Sequence, residues 1–140
     1  MSGSGGAFGT AFGAAASQPC PCDSGTRYDA CCGPLHRGEA HAVTAEQLMR
    51  SRYAAFAVGE VAYLTRTWHP RTRPRDLHLD AAQRWIGLEI RGVAGGGPHD
   101  DEGEVEFVAR YRVGAREGSQ HETSRFRRER GRWVYLDAAV

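Results

Sequence analysis

The chain has no lysine: all 18 of its basic residues are arginines. An arginine-only complement suits phosphate contact, because the planar guanidinium fork engages two oxygens at once. Acids nearly match bases, however, at 17 against 18, and the net charge is +1. A balance this close lacks the electrostatic footprint of a nucleic-acid binder. The bias is read instead as the codon usage of a high-GC genome, and nucleic acid is not an expected partner. Long apolar runs are also missing. No stretch approaches the ~20 apolar residues of a membrane helix, so no membrane partner is expected. The opening "MSGSGGAFGTAFGAAAS" has no basic n-region, and glycines interrupt its apolar runs. It does not read as a secretory signal despite its Ala-rich end. Residues 1–18 are expected to form a flexible tail, and the protein to be cytoplasmic, where thiols stay reduced. What remains is ample for one domain with a small appendage: 140 residues, 41% of them hydrophobic.

Cysteine is the sharpest case of scarcity. It is absent everywhere except in "CPCDSGTRYDACC", which holds Cys20, Cys22, Cys31 and Cys32. As disulfides, the adjacent Cys31 and Cys32 pair poorly with each other, so both bridges would have to cross a very short loop. As thiolates, the four can converge on one tetrahedral Zn²⁺. Gly25 permits a tight turn with positive φ, and "TRYDA" can form a helical turn that delivers the second pair of sulfurs. His36 and His41 also lie within reach, and either could replace Cys32 as fourth ligand; the competing reading leaves both exposed in "LHRGEAHA". Four protein ligands leave no open position for substrate, which makes such a metal structural. A segment of about twenty residues has no core of its own, so the metal would supply its folding energy. "CPCDSGTRYDACCG" resembles the SEC-C motif, the zinc-binding segment at the C-terminus of the SecA translocation ATPase, and Ser24, Gly25 and Tyr28 match as well. The resemblance implies Cys20, Cys22, Cys31 and Cys32 as ligands of one zinc per chain. By analogy with SecA-type proteins it also implies a docking role toward a protein partner, the ribosome or translocation machinery, in which outward arginines near the motif such as Arg27 and Arg37 would take part.

The remaining chain changes period midway. Thr44 and Gln47 form a capping box, with Val43 and Leu48 placed for a hydrophobic staple. Leu48, Met49, Tyr53 and Phe56 recur at helical spacing, and Gly59 stands where a C′ glycine ends a helix. A second helix runs through "EVAYLTRTW" to Pro70, and a polar connection follows with one short helical turn near Asp80. From Arg84 the pattern becomes strand-like: "RWIGLEIRGV", a turn-rich "GGGPHDDEGE", and "VEFVARYRV" with Val105, Phe107, Ala109, Tyr111 and Val113 on one face. "REGSQ" reads as a further turn, and "HETSRFRRE", "RG" and "RWVYLDA" as a terminal hairpin. The expected fold is α+β, helices packed on a curved antiparallel sheet.

"LMRSRYAAFAVGEVAYLTRTWHP", "FVARYRV", "HETSRF" and "GRWVYLD" resemble the YchJ-like proteins, whose main domain is a nuclear transport factor 2-like (cystatin-like) cone behind a SEC-C segment. The expected organisation is a tail over 1–18, a metal-binding segment over 19–36 and the cone over 42–138. Such cones host isomerases and dehydratases as well as binding domains, and fold alone does not choose between them. The resemblance also allows a homodimer through the open sheet face. Trp68, His69, Arg110, Glu122 and Ser124 are the candidate cavity residues, with Glu89, Glu106 and His121 as further polar groups. Alternation puts Glu122 and Ser124 on the face of Phe126, with His121 and Arg125 opposite. An inward Glu122 needs a partner, for which Arg110 is the candidate. The chain is therefore read as a zinc-binding interaction or ligand-binding module, with a lyase or isomerase acting on a small apolar metabolite as the alternative.

Overall fold

In the computed structural model, which describes residues 16–139, a 3-10 turn at Tyr28–Ala30 leads into helices α1 (Cys32–His36), α2 (Ala45–Val58) and α3 (Val61–Arg66). Strands β1 (Gln83–Gly95), β2 (Glu102–Val113), β3 (Arg116–Glu129) and β4 (Arg132–Ala138) follow. They pair antiparallel in chain order. Most of the tail expected over residues 1–18 lies outside the described residues. The carbonyls of Ala16 and Gln18 accept from the amides of Asp29 and Tyr28 at 3.0 and 2.9 Å.

Helix α2 starts and stops on local signals. Thr44 Oγ1 accepts from the Gln47 amide at 3.1 Å, and Gly59, at φ +84°, takes the left-handed conformation that closes the helix. The Gln47 side chain accepts from the Val43 amide, one residue ahead of the cap. The expected staple is absent: Val43 is 54% exposed, and its carbonyl instead accepts from Trp133 Nε1 at 3.1 Å. That bond ties the entry of α2 to β4.

The sheet curls over α2. β1 has register shifts against β2 between Trp85 and Gly87 and between Ile90 and Gly92; an extra residue at each bends the strand. At the far end of this pair Gly103 lies so close to Gly96 that a Cβ would fall 2.5 Å from the Gly96 Cα. The approach lets the Ala45 amide bond the Gly96 carbonyl at 2.9 Å, seating the start of α2 on the strand ends. Leu48, Tyr53 and Leu64 from the helices meet Val105, Phe107, Phe126 and Trp133 from the sheet in one core.

Two expectations are corrected. "REGSQ" is not a turn but the start of β3, and the reversal is confined to Gly114 and Ala115, between the paired Val113 and Arg116. Gly118, which suggested a turn, is a strand glycine: a Cβ there would meet the Tyr111 ring at 2.7 Å. Near Asp80 there is no helical turn. Asp80 Oδ1 accepts from the Ala82 amide at 2.9 Å, and the Asp80 carbonyl accepts from Gln83 at 3.0 Å. This side-chain-capped reverse turn competes with helix.

Candidate functional site

The four cysteine ligand atoms all lie within 4.8 Å of one another. Cys22 and Cys31 sulfurs are 3.6 Å apart and those of Cys31 and Cys32 4.0 Å. A tetrahedral centre with metal–sulfur bonds of ~2.3 Å needs sulfurs ~3.8 Å apart, so the cluster has the size of one M²⁺ site. All four are free thiols. Local geometry explains the convergence. Asp23 and Gly25 both take positive φ, +63° and +86°, which folds the first pair back, and the Cys20 amide bonds the Thr26 carbonyl at 2.8 Å. The 3-10 turn then lifts Cys31 and Cys32 to face them. Crowding makes the thiols unequal. Hydrogen bonds from Cys20 and Cys32 hold Cys22 far below the ordinary thiol range. Its partner Cys20 is pushed up to about 12, and Cys32 is pushed up by Cys20, then Cys22. A divalent cation held by the four would supply the positive charge that lets every sulfur ionise together.

The segment is built into the cone. Ala54 of α2 packs on the cysteines, Arg50 Nη1 donates to the Cys22 carbonyl at 2.8 Å, and the Leu88 amide of β1 donates to Asp23 Oδ2 at 2.9 Å. His36 is not an exposed loop residue. It is 5% exposed; its Nε2 donates to the Ser51 carbonyl at 2.8 Å, which leaves Nδ1 to accept from Tyr28 O–H at 2.6 Å. Both nitrogens are occupied, so His36 does not take the place of Cys32. His41 lines a shallow groove with Arg66 and Trp133, apart from the sulfurs.

A different face of α2 looks into a cavity of about 220 Å³, where Met49, Arg52, Tyr53 and Phe56 meet Trp68, Trp85, Phe107 and Tyr135. Glu122 and Ser124 stand in its wall. Gln120 Nε2 donates to Glu122 Oε1 at 3.0 Å, while Ser124 O–H at 2.7 Å and Tyr135 O–H at 3.4 Å donate to Oε2. Trp68 enters because its segment runs beside β4, with the His69 amide bonding the Tyr135 carbonyl at 2.8 Å.

Arg110 and His69 are placed elsewhere. Arg110 lies between the inward Ala109 and Tyr111, so pleating turns it outward, where it pairs with Glu89 at 3.4 Å. His69 is buried but aims at the end of β3: Nδ1 accepts from the Arg71 amide at 3.0 Å and Nε2 lies 3.2 Å from Glu129. His121 and Glu106 pair at 2.6 Å on the exposed outer face.

The cation inside is Arg52, which sequence reasoning missed. It is 5% exposed, and its Nη1 donates to the Leu64 carbonyl at 2.9 Å and Thr67 Oγ1 at 2.7 Å. Its Cζ lies 4.8 Å from the Trp68 ring centroid and 4.9 Å from that of Tyr135. Burial pulls its pKa down to about 10. A signal was available: Arg52 lies four residues from both Leu48 and Phe56, inside the apolar stripe of α2.

An open cone of helices against a bent meander, carrying a tetracysteine hairpin on its helical side, defines an NTF2-like protein with a SEC-C segment. A family model described as "YchJ, middle NTF2-like domain" matches residues 44–138, and one for the SEC-C motif matches residues 17–34. The chain belongs to the YchJ family. A UPF0225 protein of Streptomyces coelicolor is 55% identical over 119 residues, 85% of this chain and 93% of that protein. A UPF0225 protein of Chromobacterium violaceum is 51% identical over 125 residues, 86% of this chain and 92% of that protein. The solution structure of a SEC-C motif containing protein from Rhodopseudomonas palustris is similar at 37% identity and a TM-score of 0.75, over 88% of this chain and 98% of that one. A crystal structure of a SEC-C motif containing protein from Psychrobacter arcticus is similar at 28% identity and a TM-score of 0.72, over 89% of this chain and 84% of that one.

Proposed function

We infer that this chain is a zinc-stapled ligand-binding protein of the cytoplasm. Cys20, Cys22, Cys31 and Cys32 hold one structural Zn²⁺, and the cone takes a small molecule beside Glu122. Zinc is the metal because an all-sulfur tetrahedral set suits it, and four protein ligands leave no position for chemistry. The observation that carries the reading is the double use of α2. One face packs Ala54 on the cysteines, and another supplies Met49, Arg52, Tyr53 and Phe56 to the cavity. Metal on one side therefore fixes the wall of the ligand site on the other.

Binding is favoured over catalysis in the cone. Proton abstraction would be served by a histidine paired with a carboxylate at the cavity, whereas His69 aims at Glu129 and His121 pairs with Glu106 on the outer face. Docking of a protein partner would use the outward face of the segment, where Arg27 pairs with Asp29 and Arg37 with Glu39. The inward face of the segment is taken up by α2 and β1. The test is zinc content and cavity occupancy measured together. Stoichiometric zinc, with chelation loosening both the segment and the Trp85 indole signal, is the expected result. A cone whose indole signals and stability ignore the metal would contradict the coupling.

A further inference from the structure

We propose that the cone cavity binds a small monocarboxylic acid, its carboxylate seated against Arg52 and Trp68 and its apolar or aromatic body among Tyr53, Phe56 and Trp85. This deepens the ligand-binding reading above and rests on it.

The argument starts from what the cavity wall leaves unsatisfied. Arg52 is 5% exposed, yet only its Nη1 has acceptors, the Leu64 carbonyl and Thr67 Oγ1. Among the described residues its Nε and Nη2 have no hydrogen-bond acceptor, and no carboxylate forms an ion pair with it. A buried cation with no carboxylate in contact is costly, and the Glu122 charge on the same wall acts on it only at a distance. Beside it, Trp68 Nε1 is a buried donor with no partner. Arg52 Cζ lies 4.8 Å from the centroid of that ring, so the two donors are neighbours in one wall. Every unmet group here is a donor, and one of them belongs to a cation. An anionic acceptor is the complement, and a guanidinium edge with a neighbouring N–H suits the two oxygens of a carboxylate.

The rest of the wall sets the body and the charge. Glu122 is held in the wall by Gln120, Ser124 and Tyr135, and its negative charge opposes a second anionic group. That favours a monoanion over a dicarboxylate or a phosphate dianion. The remaining surface is aromatic, with Tyr53 and Phe56 packed 6.0 and 6.3 Å from Trp85, centroid to centroid. An apolar cavity of about 150 Å³ accepts benzene, so about 220 Å³ has room for one ring or a short chain together with a carboxylate.

The experiment titrates the full, metal-loaded chain with benzoate, phenylacetate and hexanoate, and in parallel with their neutral amides. The indole Nε1–H resonance of Trp68, assigned by its loss in Trp68→Phe, is followed by NMR. The expected result is saturable binding of at least one acid with a downfield shift of that resonance. Its amide should bind at least about tenfold more weakly, the worth of one charge-assisted hydrogen bond. Arg52→Gln should bring acid and amide to equal affinity. Should that variant not fold, Trp68→Phe decides: it keeps an aromatic ring, removes the donor, and should narrow the acid-to-amide ratio. Amides that bind as tightly as acids overturn the carboxylate assignment while leaving a ligand site. An acid-to-amide ratio untouched by Trp68→Phe overturns the seat. No saturable binding of any acid or amide overturns this proposal and the ligand-binding reading together.

Discussion

Asp23 joins the cysteine segment to the sheet through one side chain. Its backbone stands at φ +63°, and its carboxylate accepts from the Leu88 amide at 2.9 Å, beside the first bulge of β1. Asp23→Ala leaves that half-buried N–H unpaired and strains the turn, at an expected cost of about 1–3 kcal/mol. Asp23→Asn keeps an acceptor oxygen and tolerates positive φ, so it should cost far less; denaturant unfolding of the two variants checks the difference. His36 carries a second prediction. Burial lowers its pKa below the ordinary value of 6.5, and both ring nitrogens are bonded in the neutral form. Between the folded value and 6.5 the unfolded chain holds a proton that the folded chain refuses. The stability from this group is therefore complete above pH 6.5 and is lost as pH falls through the folded value. An imidazole NMR titration should place the His36 midpoint below 6.5; a midpoint at or above it contradicts the neutral assignment. Legibility at this scale followed sequence distance. The cysteines were readable because the motif is local and its spacing is stereochemical. The cavity cation left only its place in the α2 stripe as a signal, and choosing Arg52 over Arg110 depends on how a helix face and a strand face meet across the core.

At the scale of elements, the hairpin between β3 and β4 turns on Arg130 and Gly131, with φ of +57° and +82°. Two consecutive positive φ values in a two-residue link are the mark of a type I′ turn. Arginine is a poor residue for its first position, since a Cβ there costs roughly 1–2 kcal/mol of left-handed strain, which asparagine partly relieves. Arg130→Asn should raise the unfolding midpoint by up to about 1 kcal/mol of stability with metal content unchanged. A loss of stability would show that the Arg130 side chain matters more than its backbone. Helix α2 was legible from Thr44 to Gly59 because its start and stop are short-range hydrogen bonds. The β2–β3 reversal was displaced because Gly118 owes its presence to the Tyr111 ring on the neighbouring strand, a contact no local pattern reveals. The staple failed for a similar reason: Trp133, far along the chain, captured the Val43 carbonyl.

Over the whole molecule, the tetracysteine hairpin acts as a brace. The segment contributes little apolar area of its own, yet it reaches α2 through Arg50 and Ala54, β1 through Asp23, and α3 through Arg66, whose Nη2 donates to the His36 carbonyl at 2.8 Å. Folding energy released by a bound metal would thereby be passed to the helix that walls the cavity. Among the described residues, no helix is long and apolar enough to cross a membrane. The outer sheet face carries exposed ion pairs, Arg110 with Glu89 and His121 with Glu106, which contribute little to stability. Stability of the whole should accordingly depend far more on the sulfurs than on these pairs. The most direct test is the mass of the reduced protein measured under native and then denaturing conditions. The account predicts a native excess of one zinc per chain that vanishes on denaturation, with all four cysteines as free thiols in the denatured mass. A native chain without metal, lighter by the hydrogens lost to two disulfides, would contradict it.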